Sequence, residues 1–433
     1  MSVATPALPV RAECLWAALL PATLMNLPLG SVYSCVVSLR GWVLRALLGG
    51  AMLNALVAGA VSAAPACPGE QVATASGCVA VKAAADRIDT IVREAMAKHH
   101  LKAVLAGVAI DGRPLSVMAQ GESMTGVPAT PDMHFRSGAV AIAYIGTVLL
   151  QLRDKGVLAI DDKLSKWFPD YPRADQITLA MLVNNTSGYA DYVTDESFVQ
   201  RLYADPFRPW RPEDLTAIAL GRPMTCDPGT CWSYAHTNFV ILGRVLEKVT
   251  GRPLETLIRE GILDPLSLRD TRSEMTATVQ EPVLHAFTAD RDKYEESTFW
   301  NPSWTLASGA VMTSSISDLL TSAAAIGTGA LVSPDSHALQ VAPLTAKLKP
   351  WSATAYYGLG IVNLDGWLVQ FPSFAGYAAG MAYLPSQRIA IAVSVTFQEK
   401  ATPGPNRSMD IMKEIAAYLA PQAPLDPQAH GMR

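Results

Sequence analysis

Few side chains in this 433-residue chain stand where their type and spacing would do chemistry. Tyr234 and His236, two residues apart, offer a phenol and an imidazole for hydrogen bonding or proton transfer, since an imidazole titrates near neutral pH. Ser137 offers a hydroxyl at the entrance to an apolar run; it reads as a substitute nucleophile or, more plainly, as a turn or pocket-rim serine. His99, His100, His134, His285, His337 and His430 show no metal-ligand spacing. There is no glycine-rich phosphate loop and no His-Glu-x-x-His pattern. No cofactor is implied.

Cysteine usage points to a compartment. Cys14 and Cys35 lie in an atypical N-terminal segment, which leaves an even set. Cys67 and Cys78 bracket a polar, glycine-containing stretch; Cys226 and Cys231 bracket Asp227-Pro228-Gly229-Thr230, a turn signature. Two local disulfides in an oxidising compartment fit this pattern. A zinc site fits it poorly, because no histidine stands at ligand spacing, and four free thiols are the remaining alternative.

The first 64 residues carry Arg11, Arg40 and Arg45 against Glu13 alone. Arg40 and Arg45 precede the apolar run Ala46 to Val61, which ends in Ser62-Ala63-Ala64: a basic flank, an apolar centre and a small-residue exit, as in a secretory signal. The run is short and rich in Gly and Ala for a membrane span; an uncleaved anchor is the alternative, and the only reading that brings the protein to a membrane. Residues 1–38 are unusual ahead of a signal, and a start near Val36 or Val37 is expected. No Leu-x-x-Cys precedes Cys67, which argues against a lipoprotein.

The remainder reads as globular. Half of all residues are hydrophobic and 17% charged, enough to bury a core. The formal charge of −4, without a basic stripe interleaved with aromatics, argues against nucleic acid as a partner. Lys82 to His99 places Ile88, Val92, Ala95 and Met96 on one helical face. Ala103 to Ile110 and Leu115 to Ala119 flank Asp111-Gly112, a hairpin signal. A helix from about Ala139 to Asp154 is apolar nearly all round and should be fully buried. A mainly helical stretch continues to about residue 270. Then Tyr357 to Leu364 and Trp367 to Phe371 flank Asp365-Gly366, and Tyr377 to Leu384 and Arg388 to Phe397 flank Pro385-Ser386-Gln387. A last helix starts after Asn406, with Ile411, Met412, Ile415 and Leu419 inward. The two ends most simply build one antiparallel sheet, the helical middle a second lobe, and the two meet at a cleft.

Over residues 83–420 the chain resembles the serine β-lactamase-like hydrolases: class C β-lactamases, DD-peptidases and related penicillin-binding proteins, and β-lactamase-like esterases. Phe135-Arg136-Ser137-Gly138-Ala139-Val140-Ala141-Ile142 is similar to that family's Phe-Arg-x-Gly-Ser-x-Thr-Lys, and Leu150 to Leu158 with Asp161-Asp162-Lys163-Leu164 continues it. Ile177-Thr178 through Leu182 to Asn185-Thr186-Ser187-Gly188-Tyr189 is similar to Ile-Thr…Leu-Leu-x-His-Thr-Ser-Gly. Pro228-Gly229-Thr230-Cys231-Trp232-Ser233-Tyr234-Ala235-His236-Thr237-Asn238-Phe239 resembles Pro-Gly-x-x-Trp-x-Tyr-Ser-Asn-Thr-Asn-Tyr. The resemblance implies an α+β, β-lactamase/transpeptidase-like fold, with an antiparallel sheet flanked by N- and C-terminal helices plus a mainly helical lobe. Residues 1–64 would then be an extension and signal, and 83–420 the β-lactamase-related domain. It also implies a peptidoglycan-type peptide or an acyl-ester small molecule as ligand.

The departures fall on chemistry. Active members acylate a serine at the N-terminal end of the buried helix, assisted by a lysine one turn later and a tyrosine from the helical lobe. Here Ala139 occupies the serine position and Ile142 the lysine position, while Tyr234 matches the tyrosine and His236 replaces an asparagine. No lysine in the chain has Ser or Thr three residues before it, so the motif is missing rather than displaced. Gln370-Phe371-Pro372 stands where His-x-Gly is expected; Pro372 removes an amide donor there, and Ser373 offers a nearby hydroxyl. Asn185 to Gly188 is expected to form a turn supporting the helical lobe. The favoured reading is an exported homologue that has lost hydrolysis by the Ser/Lys mechanism and keeps a cleft, with Tyr234, His236, Ser137, Gln370 and Ser373 as candidate binding residues. Two others stay open: a hydrolase with rearranged residues, His236 activating a water, and a scaffold whose cleft is filled by Ile142, Phe371 and Phe374.

Overall fold

The computed structural model describes residues 67–273, 276–310, 312–401 and 406–430. The expected signal segment, with Cys14 and Cys35, lies outside the described residues. A short hairpin, Gln71–Thr74 (β1) with Gly77–Ala80 (β2), is closed by the Cys67–Cys78 disulfide. It leads into the helix Val81–His99 (α1), which buries Ala84, Ile88, Ile91, Val92 and Ala95. Leu101–Ile110 (β3) and Arg113–Met124 (β4) are joined by Asp111 and Gly112 at φ 58° and 74°. Two successive positive φ values give the turn whose twist matches the strands.

Beyond Val127–Pro128 (β5), a single 3-10 turn over Gly138–Val140 opens the helix Ala141–Asp154 (α2). Every α2 residue from Ala141 to Leu150 is buried, as its all-round apolarity requires. The helical lobe follows with Leu179–Val183 (α3), Glu196–Ala204 (α4), Pro212–Leu220 (α5) and His236–Thr250 (α6). Local chemistry starts several of these helices: Thr178 and Asp195 accept from Met181 N and Phe198 N, and Pro212 occupies the first turn of α5. The lobe returns through Ile316–Thr328 (α7) and Pro334–Gln340 (α8).

The last strands are Ala355–Tyr357 (β6), Val362–Leu364 (β7), Trp367–Gln370 (β8), Ser373–Phe374 (β9), Tyr377–Leu384 (β10) and Ile389–Phe397 (β11). They precede Arg407–Leu419 (α9), capped by the Asn406 side chain at Ser408 N and Met409 N. The strand order is β6-β7-β8-β10-β11-β3-β4-β5, with β9 also on β10 and every pairing antiparallel. The two chain ends therefore meet at β11 and β3, giving an α+β architecture. The sequence suggests one continuous strand over Tyr357 to Leu364; the structure breaks it at Gly358–Ile361. There Gly360 turns at φ 80° and the Leu359 amide leaves the ladder for the Gln340 carbonyl.

Both faces of the central strands are buried. Val104, Ala106 and Val108 join Ile391, Val393 and Val395 under α1 and α9, while Ala103, Leu105, Ala390 and Ala392 face the lobe. That lobe-side face is small-residue rich for a reason: a Cβ on Gly107 would lie 2.6 Å from Ile316 and Leu320 of α7. Among the described residues no helix is long and apolar enough to cross a membrane.

Candidate functional site

The N-terminus of α2 is seated by glycines. A Cβ on Gly146 would lie 2.6 Å from the Leu359 carbonyl oxygen, and one on Gly360 2.8 Å from the Ile142 carbonyl oxygen. Helix and turn therefore touch backbone to backbone, closer than side chains permit. Gln370 Nε2 donates to the Gly360 carbonyl at 2.8 Å and locks the same turn from β8. At the helix entrance Gly138 adopts φ 54°, and the Pro372 ring rests against it, 3.0 Å from where a Cβ would be. Asn406 Nδ2 donates to the carbonyls of Phe371 and Pro372, at 2.8 and 2.6 Å, and pins that segment in turn.

These contacts frame a cleft of about 460 Å³, within the size range of small-molecule sites. Ala139 and Ile142 line one side, and Trp232, Tyr234, Trp351, Tyr357 and Phe371 supply aromatic surface. Pro350, Val362, Gln370 and Pro372 complete it; among the described residues no charged side chain lines it. Trp232 meets Trp351 edge to face at 4.8 Å, and Tyr357 packs on both at 5.8 and 6.1 Å. Trp232 directly follows the Cys226–Cys231 disulfide, which closes the turn before it. Trp232 Nε1, Trp351 Nε1 and the Tyr357 hydroxyl are buried without a hydrogen-bond partner. Burial raises the Tyr357 pKa above the ordinary phenol value; the Gln370 and Asn185 amides oppose that rise, although neither completes a hydrogen bond to it.

A polar network stands on the other side of Tyr234. Asn185, buried at φ 63°, accepts at Oδ1 from Ala235 N (3.2 Å) and Asn238 Nδ2 (3.0 Å), and its carbonyl accepts from Ser233 N at 3.0 Å. Ser187 Oγ donates to Asn238 Oδ1 at 2.6 Å, and Thr237 Oγ1 to the Ala190 carbonyl at 2.7 Å. Asp191 then grips the start of α6: its carboxylate accepts from His236 N at 3.2 Å and faces His236 Nδ1 at 3.0 Å. A carboxylate only accepts, so it selects the tautomer with the proton on Nδ1 and leaves Nε2 as the acceptor. The His236 ring meets Tyr234 edge to face at 5.0 Å. Burial, reinforced by Tyr357 and Asp191, pushes the half-buried Tyr234 phenol well above its ordinary pKa. Both phenols thus remain protonated at neutral pH and act as hydrogen-bonding groups.

The cleft brings together Ala139, Ile142, Tyr234 and Gln370. His236 abuts Tyr234 but does not line the cleft. Ser137 is 1% exposed and donates to the Met312 carbonyl at 3.3 Å, so its hydroxyl faces the strand beside it. Ser373 is exposed, accepts from Asn406 Nδ2 at 3.3 Å and lines a separate groove of about 440 Å³ with Asp290 and Glu399. Phe374 is buried and stacks on Trp304 at 5.9 Å, outside the cleft. A wider surface groove of about 690 Å³ beside Arg259 and Arg272 holds none of these residues. Among the described residues no group of three or more His, Cys, Asp or Glu is placed to hold a metal. Sequence reading missed Asp191 and Trp351, which belong to no periodic run and acquire meaning only through distant partners.

Comparison with known proteins agrees with this architecture. The Beta-lactamase family profile matches residues 88–414. Penicillin-binding protein 4 of Amycolatopsis lactamdurans is 31% identical over 186 residues, 40% of this chain and 45% of that protein. Esterase EstB of Burkholderia gladioli is 30% identical over 200 residues, 43% of this chain and 50% of that one. The chain thus spans about half the length of these curated relatives. A D-stereospecific amidohydrolase from a Streptomyces species superposes with a TM-score of 0.68 at 24% identity, covering 78% of this chain and 99% of that one.

Proposed function

The chain belongs to the beta-lactamase family, and on that premise we propose that it binds a ligand in the retained cleft without forming an acyl-enzyme, and that it is exported. One observation carries the first part: Ala139 and Ile142, at the nucleophile and lysine positions, face a cleft that is otherwise built. Loss of a catalytic serine costs on the order of 10⁶ in turnover, and binding with oxyanion stabilisation leaves about 10³–10⁴ over water. With an isoleucine that is 1% exposed in the lysine position, nothing on that side activates a hydroxyl. The ligand classes to try first are a peptidoglycan-type peptide and an acyl ester, in keeping with relatives named a penicillin-binding protein and an esterase. The two disulfides support export, and N-terminal sequencing of the mature protein from the medium or envelope tests it.

The test of inactivity is a labelling and turnover assay on the purified protein with fluorescent penicillin, a serine-reactive phosphonate and short-chain nitrophenyl esters. No label and no saturable turnover are expected; either one overturns the proposal. A second reading is favoured by one contact, the hydrogen bond between Asp191 and His236 Nδ1. It makes His236 Nε2 a candidate base for a water, in a hydrolase with rearranged residues. Saturable ester turnover that disappears in His236→Ala would select it. A cleft of about 460 Å³ is what a purely structural scaffold would not need.

A further inference from the structure

The two edges of the main sheet are finished differently. At β6 the edge is sealed: Thr345 Oγ1 accepts from Tyr357 N at 2.8 Å and donates to the Tyr357 carbonyl at 3.0 Å. At the opposite edge β5 covers only the end of β4, pairing with Glu122 and Met124, and Ala129 N donates to the Gly121 carbonyl at 3.0 Å. Successive residues of an antiparallel strand turn their backbone polar groups to alternate sides. Val117 and Ala119, in phase with Gly121, therefore present theirs outward, and among the described residues neither finds a partner on that side. Open edges in soluble proteins are usually blunted by a charge or a covering segment. Here residues 114–121 include no charged side chain, and residues 115–121 are all half-buried.

Charges stand at the two ends of that stretch, Arg113 and Glu122, both exposed and neither in an ion pair among the described residues. They share a face of the sheet. Arg113 lies opposite Ile110 and Gln120 opposite Val104, positions in phase on β3, because β4 takes one extra residue at Leu115. Glu122 follows Gln120 by one full strand period. We propose that β4 is a self-association edge, at which a second copy of this chain pairs antiparallel across Val117 and Ala119 and the two sheets join into one. The charges select that occupant and that direction. About a two-fold axis the strand is its own complement: the Arg113 end of each copy approaches the Glu122 end of the other, twice. A parallel arrangement would bring Arg113 to Arg113 and Glu122 to Glu122. The proposal holds whatever the cleft binds.

Sedimentation of the purified protein from about 1 to about 200 µM, the range suited to a small interface, is expected to show a monomer giving way to a dimer. Hydrogen exchange over residues 115–120 should slow as the dimer fills. Ala119→Pro deletes an outward N–H and leaves the β3 ladder intact, so it should weaken association by about tenfold or more, with its melting curve showing that it is folded. Arg113→Glu should weaken the dimer about tenfold, and Arg113→Glu with Glu122→Arg should restore it, because opposite charges face each other again. A protein that stays monomeric throughout overturns the proposal. So does a dimer indifferent to both Ala119→Pro and Arg113→Glu, which would place association at another surface. Loss in Arg113→Glu without rescue by the double reversal overturns the antiparallel pairing. If Ala119→Pro does not fold, the exposed charge pair decides alone.

Discussion

Tyr234 stands between two differently built halves of one site. On the side of Ala139, Ile142 and the tryptophans, the wall is apolar, uncharged and carries unpartnered donors. On the side of Asn185, Ser187 and Asn238, buried polar groups are linked hydrogen bond to hydrogen bond, and the half-buried Asp191 pairs with His236 beside them. The exception is Asn185 Nδ2, which lacks a partner and whose side chain lies by Tyr357, where the halves meet. On the proposed reading, the difference teaches that a nucleophile can be lost without loss of its surroundings. A polar network must stay complete, because each orphaned buried group costs stability. A cleft-facing serine and lysine can be exchanged for Ala and Ile with little penalty to the fold.

The largest effect expected from breaking this contrast is a gain. Ala139→Ser with Ile142→Lys should turn an unlabelled protein into one that fluorescent penicillin labels, a change of roughly three orders of magnitude or more in acylation. Ala139→Ser alone should stay unlabelled; rapid labelling of the single variant would refute the role given to the missing lysine. On the polar side Asp191→Ala should act on stability. It strips the acceptor from His236 N and Nδ1 and should cost about 2–3 kcal/mol in urea unfolding; a change below about 0.5 kcal/mol would mean that water replaces the carboxylate freely.

Smaller effects sharpen the comparison. The Cys226–Cys231 bridge closes a loop with a sequence separation of only 5, for which chain entropy gives about 2 kcal/mol. Cys226→Ser/Cys231→Ser should lower stability by no more than that. It should also broaden the tryptophan emission by loosening Trp232, whereas an unchanged spectrum would show that Trp351 and Tyr357 hold the ring unaided. The smallest effect lies at a third polar site, Asp318, whose carboxylate accepts from Asp270 N and Thr271 Oγ1, both at 2.9 Å. Burial raises its pKa above 3.8, against the opposing Thr271 and Asp270 hydrogen bonds. A carboxyl raised in the folded state adds stability below its unfolded value and loses it as pH rises through the folded one. Melting temperatures at pH 4 and pH 7 should therefore show the wild type's advantage over Asp318→Asn shrinking toward pH 7; an advantage that grows would reverse the sign.

Much of this molecule was legible in advance because it rests on local identity. An Asp-Gly between apolar runs makes a hairpin wherever it occurs, as at Asp111 and Asp365, and Asn406 caps the helix that follows it. Absence was legible too. Ala139 and Ile142 carry neither a hydroxyl nor an amine whatever the fold, and the proposal of a non-acylating protein rests on that, because chemistry of that kind needs particular atoms. Tertiary structure alone decided which groups meet. Asp191 reaches His236 across 45 positions within the lobe and Trp351 packs on Trp232 across more than a hundred, pairings that tertiary folding creates and no periodicity announces. It turned Ser137 toward Met312. It also broke the strand at Gly358–Ile361, because α2 needed a place where two backbones touch. Local rules govern what a segment does by itself; contact between distant segments is set by how the whole chain buries its apolar surface, and in that step this site acquired its two unlike halves.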